Sequence, residues 1–352
     1  MSAPLAPPSG DDCARIVWLD AARGLGIVLV VVGHALGGLI DSPLGAGLGP
    51  FRRAFFAIYT FHMPLFFVLA GLMVEPRLAR GAGGFVRGLL PTLVWPYVLW
   101  SLVQSGVIVL LGSLVNRPAG PWWETVLALP WRPVSQFWFL HALFCLHLAA
   151  AALLPRIGRE GLLLLGLATR ALAFVAPLDP ILRLILINLQ WYALGVWLGT
   201  AGLERLVVKR PVWLRAAVLP AAAAVLVGLT LAAASASGAP LLATASSPQI
   251  ASMAWRLPSG AAALAGALAV IGLAAWPPLA AGGLLAALGR LTMPVYLLHV
   301  LFVAGARIVL IRAGLADPWL LLPVVVAAGL AGPLLVARGA RALGLTRALG
   351  LG

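Results

Sequence analysis

The first long apolar segment of the chain contains three side chains able to take part in chemistry: Asp20, Arg23 and His34. On an α-helix, the eleven positions from Arg23 to His34 leave the two side chains only about 20° out of alignment, and Asp20 is about 40° from His34. All three therefore lie on one face, with Asp20 and Arg23 one turn apart and able to pair. At 1.5 Å per residue, His34 lies about 16 Å further along the helix than Arg23.

Ionisable groups inside an apolar span cost roughly 2.5–3.5 kcal/mol each on insertion scales, so their presence indicates function. Neutral imidazole can take a proton from a hydroxyl, which makes His34 a candidate catalytic base, with Arg23 and Asp20 beside it. The alternative is that Asp20 and Arg23 anchor the helix end at an interface and that His34 is a packed polar residue.

A second candidate catalytic histidine, His62, lies in the segment Tyr59 to Pro64. Pro64 has no N–H to donate to the carbonyl of Thr60. The loss of this backbone hydrogen bond predicts a bend beside His62. A bend of this kind suits a reaction cavity, and it is equally compatible with a simple kink in which His62 is satisfied by its neighbours.

A third histidine, His299, follows an interruption in an apolar segment near Gly289 and Arg290. Thr292 is predicted to cap the helix that restarts there, and Pro294 fits its first turn. His299 then lies about two turns in and joins a predicted polar cavity. The other members of that cavity are Asn188, Gln190 and Tyr192, and His141 and His147 of the fourth span complete the polar set. For each of these residues satisfied packing is the alternative.

Basic residues between the second and third apolar segments are candidates for binding the phosphates of a nucleotide-containing donor. They are Arg77, Arg80 and Arg87. The sequence has no Gly-x-Ser-x-Gly elbow, phosphate-binding Walker loop or zinc-ligand spacing, so hydrolase, ATPase and metalloenzyme interpretations lack support and no metal is predicted. Cys13 and Cys145 are isolated and match no redox or metal spacing.

The elements that position these residues are predicted to be membrane-spanning helices. Of the 352 residues, 62% are hydrophobic and only 10% are charged, whereas soluble domains are about 25% charged. Apolar runs of at least 18 residues recur, and they are blocky rather than alternating, which predicts an all-α polytopic membrane protein with about ten spans. We place the spans at 16–40, 52–73, 88–112, 136–154, 160–176, 181–199, 212–235, 256–275, 283–310 and 317–337.

Ten spans put both termini on one side of the membrane. The connections on that side hold more Arg and Lys than those on the other, which predicts that both termini are cytoplasmic. The net charge of +14 therefore reflects topology, and no nucleic-acid-binding motif accompanies it. Residues 1–14 are predicted to be a disordered tail, 15–340 the transmembrane domain and 341–352 a short C-terminal tail.

Two segments resemble the acyltransferase-3 family of membrane O-acyltransferases. Residues 18–38, WLDAARGLGIVLVVVGHALGG, are similar to its first helix, in which an Arg and a His are spaced as Arg23 and His34 are. Residues 58–73, IYTFHMPLFFVLAGLM, resemble the second helix of the branch related to fucose 4-O-acetylases, with Ala70 where many members have Ser. Later signatures of the family are similar to residues 85–100, 137–144 and 288–302. The first of these segments holds fewer basic residues than is usual in the family.

This resemblance implies acyl transfer from a cytoplasmic acyl-CoA, usually acetyl-CoA, to a hydroxyl of a sugar or glycan. It also implies that His34 is the catalytic base, that Arg23 is a donor-site or structural partner, and that 15–340 is an acyltransferase domain. We expect a protein of the bacterial inner membrane, surrounded by lipid, that binds acyl-CoA as a substrate and no permanent cofactor. The alternatives are a transporter or exporter of a polar or lipid-linked substrate, which the absence of an internal repeat disfavours, and a non-catalytic membrane subunit.

Overall fold

The structure of the protein, a computed structural model, describes residues 16–116, 121–236, 258–276 and 283–352. In these residues all regular structure is helical. The helices are α1 (Val17–Ile40), α2 (Gly49–Gly71), α3 (Val74–Leu78), α4 (Ala82–Leu89), α5 (Trp95–Leu111), α6 (Trp122–Ala128), α7 (Trp138–Val175), α8 (Pro180–Leu203), α9 (Val212–Ala236), α10 (Pro258–Ala274), α11 (Leu284–Arg290), α12 (Thr292–Arg312) and α13 (Pro318–Ala342). The predicted tail 1–14 and the first residues of the eighth predicted span lie outside the described residues.

The predicted all-α membrane architecture is confirmed. Within the described residues, eight helical runs are long and apolar enough to cross a membrane, judged by length and composition. One of them, Ser135–Val175, contains both the fourth and the fifth predicted spans. Gly158 interrupts it with φ 68° and ψ −179°, values that favour glycine and that separate two helical halves. The eighth predicted span corresponds to a shorter apolar helix, Ser259–Ala274.

The third predicted span begins earlier than its hydropathy suggests. The helical chain starts at Ala82, passes through a π-helical turn at Leu90–Val94 and continues as α5. Hydropathy places the start at 88 because the apolar run begins there. The helix itself extends back into the Gly-rich segment that precedes this run. The π-helical turn follows from Pro91, which cannot donate the usual backbone hydrogen bond.

The ends of several helices follow the expected local chemistry. Asp179 and Asp317 each precede a proline at the first helical position. Asp179 accepts from the backbone N–H groups of Ile181 and Leu182, and Asp317 accepts from that of Trp319. The predicted break in the ninth span is present, because α11 ends at Arg290 and α12 begins at Thr292. The predicted cap by Thr292 is wrong: its hydroxyl instead donates to the carbonyl of Gly289 at 2.6 Å.

Two pairs of helices approach so closely that only glycine fits between them. A Cβ on Gly24 of α1 would lie 2.0 Å from the carbonyl oxygen of Leu285, and one on Gly289 of α11 would lie 1.8 Å from that of Asp20. Gly71 of α2 and Gly195 of α8 form a similar contact. Small residues at crossings are how membrane helices bring their backbones together, and here they fix α11 against the end of α1 that carries Arg23.

The chain after α13 folds back onto α5. The indole Nε1 of Trp95 donates to the carbonyl of Ala348, and that of Trp100 donates to the carbonyl of Leu349, both at 2.8 Å. Leu351 is buried beside them. The predicted C-terminal tail is therefore packed against the helix that follows the π-helical turn.

Candidate functional site

A cavity of about 630 Å³ opens between α1, α2, α4, α7 and the junction of α11 with α12. Its wall is largely apolar, and α3 and the π-helical turn complete it. The apolar side chains that line it include Val30, Met63, Phe66, Leu69, Met73, Phe85, Leu93, Phe139, Leu140, Leu143 and Met293. A cavity of this volume accommodates a ligand of drug or cofactor size.

Four arginines line the same cavity: Arg23 of α1, Arg77 of α3, Arg80 just after α3, and Arg290 of α11. Arg77, Arg80 and Arg290 are exposed and Arg23 is half-buried, so their charges lie toward the open side. No Asp or Glu is among the described residues that line the cavity. Its field is therefore strongly positive and suits an anionic ligand.

Arg23 is held by Asp20, as the helical spacing predicts. Their side chains form an ion pair at 3.4 Å. Asp20 is only 8% exposed and is not part of the cavity wall. Its role in the structure is to fix the guanidinium that faces the cavity.

Arg77 and Arg80, singled out from the sequence, thus reach the cavity, whereas Arg87 does not. Arg87 is exposed on α4, although other residues of that helix form part of the wall. Arg290 was not predicted as a site residue, because the sequence marks it only as a basic residue at a helix break. Its one signal was that break, and nothing in the sequence showed that α11 packs against α1.

Two further polar residues line the wall: His147 of α7, which belongs to the polar set predicted from the sequence, and Tyr296 of α12, which was assigned no role there. The Nδ1–H of His147 donates to the carbonyl of Leu143 at 2.8 Å, and its ring stacks on Phe85 with centroids 5.3 Å apart. The hydroxyl of Tyr296 donates to the carbonyl of Gln136. Both side chains are thus fixed in position where they meet the cavity.

The polar residues predicted on the sixth span do not line the cavity. The amide of Asn188 donates to the carbonyl of Leu184 within α8, at 2.8 Å. With its amide oxygen turned toward the donor, Gln190 accepts from Arg170 at 2.7 Å. Tyr192 is fully buried, 5.4 Å from the ring of His147. Asn188 and Gln190 therefore satisfy hydrogen bonds within the helix packing, and Tyr192 lies behind the wall.

The three histidines predicted from separate spans come together beyond the inner end of the cavity. The rings of His34 and His299 are 4.8 Å apart, measured between centroids, and that of His34 is 6.1 Å from Tyr59. The ring of His62 is 4.7 Å from Tyr59. His62 and His299 are almost completely buried, whereas His34 retains partial exposure. Within the described residues, no group of three or more His, Cys, Asp or Glu side chains converges on a metal-sized site.

The cavity and the histidines are arranged in series along α1. Arg23 lies at the open side, Val30 lies two turns further in, and His34 lies one turn beyond Val30. On α12, Tyr296 lines the cavity and His299 follows it by three residues. A ligand with its anionic end at the arginines and an apolar arm along Val30 would point toward the three histidines, none of which lines the cavity itself.

Comparison with known proteins identifies the family to which the chain belongs. A family model described as an acyltransferase domain, acyltransferase-3, matches residues 16–338. Nodulation protein NolL of Mesorhizobium japonicum is 29% identical over 219 residues, which is 59% of this chain. The chain spans 55% of the length of that relative, and no solved structure matches it. Because the family match covers nearly all of the spans and both the cavity and the histidines, the chain belongs to the acyltransferase-3 family of membrane proteins.

Proposed function

We propose that the protein transfers an acetyl group from cytoplasmic acetyl-CoA to a hydroxyl of a sugar or glycan in the bacterial inner membrane. The observation that carries the proposal is the cavity in which, among the described residues, four arginines and no acid lie at one end, while the cluster of His34, His62 and His299 lies beyond the other. The family consists of acyltransferases, which favours this function over the transporter and subunit alternatives.

The donor is matched by the charge and shape of the cavity. The phosphates of coenzyme A are multiply charged, and arginine guanidinium groups bind phosphate oxygens in bidentate geometry. Arg77, Arg80 and Arg290 are placed to meet them, with Arg23 behind. The pantetheine arm then runs along the apolar wall toward Val30 and carries the thioester inward.

The predicted topology supports a cytoplasmic origin for this donor. Arg23 lies near the N-terminal end of α1, and Arg77 and Arg80 lie in the connection after α2, so all three lie on the side of the N-terminus. The excess of basic residues in the connections on that side favours the cytoplasm. The partly exposed His34 then receives the acceptor hydroxyl deeper in the protein.

The proposed reaction needs one base and no covalent enzyme intermediate. A ring nitrogen of His34 takes the proton of the acceptor hydroxyl as its oxygen attacks the thioester carbonyl. A carbon–oxygen bond forms and the carbon–sulfur bond breaks. The thiolate of coenzyme A leaves and receives the proton from the His34 imidazolium, which returns the histidine to its neutral form.

Mass spectrometry of envelope glycans tests the proposal. Glycans are compared from cells with the intact protein, without it, and with His34→Ala, at matched protein levels in the membrane. We expect an acetyl group to be missing without the protein and to be reduced by about 10²–10⁴-fold with His34→Ala, the usual range for loss of a general base.

His141→Gln is the matched control, since His141 lies outside the cavity and contacts the carbonyl of Pro130 in a loop. It should leave acetylation unchanged. Glycans with identical acyl content in the presence and absence of the protein would contradict the proposed function, and full acetylation with His34→Ala would remove His34 as the base.

A further inference from the structure

We infer that His299 is a positioning residue that fixes the tautomer and ring orientation of His34. The inference rests on the proposed function, in which His34 is the base, and names the group that orients it. Asp20 cannot serve, because it lies near the other end of α1 and is paired with Arg23. The orienting group must come from another helix.

The protonation of His299 is set by its own backbone. Its Nδ1 lies 3.0 Å from the carbonyl oxygen of Val295 and 2.8 Å from that of Tyr296. A carbonyl oxygen only accepts hydrogen bonds, so Nδ1 must carry a proton. In the neutral ring, Nε2 is then an unprotonated acceptor.

That acceptor is buried and has no hydrogen-bond partner. His299 is 0% exposed, and its Nε2 has no partner among the described residues. Burying a polar atom without a partner is costly, and such atoms in native proteins have an explanation in function or in a bound molecule. The neighbouring ring of His34 supplies the explanation that we infer here.

His34 is the histidine next to this acceptor. The two rings meet edge to face, with centroids 4.8 Å apart and planes inclined by 64°. The two rings make no hydrogen bond as they stand, and at this separation rotation of one ring would bring a nitrogen of His34 opposite Nε2 of His299. The N–H of His34 then donates to Nε2, and the other nitrogen of His34 is left unprotonated and free to act as base. The bond also stabilises the imidazolium that forms when His34 takes a proton.

His62, the other candidate, is less well placed. Its Nδ1–H donates to the carbonyl of Ile58 at 2.8 Å, so its Nε2 is also an acceptor. Its ring, however, packs against Tyr59 at 4.7 Å. The ring contacts of His34 in the described part of the chain are with Tyr59 and His299. His62→Leu is therefore the matched control for substitutions of His299.

Nitrogen-15 NMR of the full-length protein, labelled at histidine and held in lipid nanodiscs, tests the inference without any acyl transfer. The chain has only 5 histidines, so each signal is assigned by a single substitution. We expect His299 to be protonated at Nδ1 and His34 to populate one tautomer. His299→Leu should give a mixture of His34 tautomers, His299→Gln should restore one because its side-chain oxygen accepts, and His62→Leu should leave the single tautomer of His34 in place.

Kinetics with acetyl-CoA supply the second measurement. His299→Leu should lower kcat by about 10–100-fold, the range for loss of a group that orients a metal-bound histidine, with the KM for acetyl-CoA unchanged. His299→Gln should recover most of the loss, which a purely structural role for the ring would not allow.

Several results would overturn the assignment: a wild-type His299 protonated at Nε2, a His34 tautomer that responds to His62→Leu and ignores His299→Leu, or a His299→Gln variant no better than His299→Leu. If the NMR results are as expected and the purified protein transfers no acyl group, the positioning contact stands and the proposed function falls.

Discussion

The four arginines of the cavity differ in how much charge they offer to a ligand. Arg23 is partly neutralised by Asp20 at 3.4 Å. Glu75 shares α3 with Arg77 but is turned toward Arg159, with which it pairs at 3.1 Å. In the described part of the chain, Arg77, Arg80 and Arg290 form no ion pair, so their full charge faces the cavity and water.

Loss of these three charges should weaken donor binding more than turnover. A triple variant Arg77→Gln, Arg80→Gln and Arg290→Gln should raise the KM for acetyl-CoA by at least about tenfold, since one hydrogen bond to a charged group is worth about 1.5–3 kcal/mol. The value of kcat at saturating donor should change much less, because the phosphates are remote from the thioester. Steady-state kinetics in nanodiscs measures both parameters.

Arg87→Gln is the matched control, because Arg87 is exposed on the same side and does not line the cavity. Its KM should equal that of the unaltered protein. An equal rise in KM for Arg87→Gln and for single variants of the other three would mean that the surface potential, and not the cavity, attracts the donor.

The part of the site that lies on one helix could be predicted from the sequence. Helical periodicity alone places Asp20 and Arg23 in contact, and the structure shows their ion pair. Arg290, His147 and Tyr296 could not be assigned to the cavity in this way. Each comes from a helix remote in sequence, and its place depends on how the helices pack, which a single sequence does not encode in any local pattern.

At the scale of elements, the contact of α1 with α11 holds the site together. Gly24 and Gly289 bring the two backbones into contact, so Arg23 and Arg290 lie on one cavity. The same contact fixes where α12 begins and therefore how far His299 stands from His34. The sequence predicted an apolar span over α1 and another over α11 and α12, with a break near Gly289 and Arg290. It carried no information on which helix α11 would pack against.

Gly289→Ala should destabilise the protein, because its new Cβ would lie 1.8 Å from the carbonyl oxygen of Asp20. Backbone atoms cannot yield as a flexible side chain does, so the helices must separate. We expect a loss of about 1–3 kcal/mol, the usual cost of overpacking, seen as a lower Tm in thermal unfolding monitored by size-exclusion chromatography.

Gly305→Ala on α12 is the control, since a Cβ there meets nothing within 4 Å. Its Tm should match that of the unaltered protein. If Gly289→Ala were as stable as Gly305→Ala, the close approach of α1 and α11 would not be a feature of the folded protein.

At the scale of the whole molecule, an even number of spans puts both termini on one side of the membrane, and the excess of basic residues on that side predicts that it is the cytoplasm. A reporter active only in the cytoplasm should work when fused to either terminus. Truncated fusions should be silent after Leu178, in the connection before α8, and active after Arg210, in the connection before α9. An active N-terminal fusion with a silent C-terminal one would mean an odd number of spans.

The pairing of α1 with α11 also has a consequence for biosynthesis. At roughly 5–20 residues per second, on the order of ten to fifty seconds separate the synthesis of the two helices. Throughout that interval α1 has entered the bilayer with Asp20, Arg23 and His34, yet Gly289 and His299 do not exist. The nascent chain must therefore shelter these polar groups against its other early helices or against an insertion factor. A ribosome that stalls before Leu284 leaves the first helix without its final neighbour, in a form that membrane quality control is able to recognise.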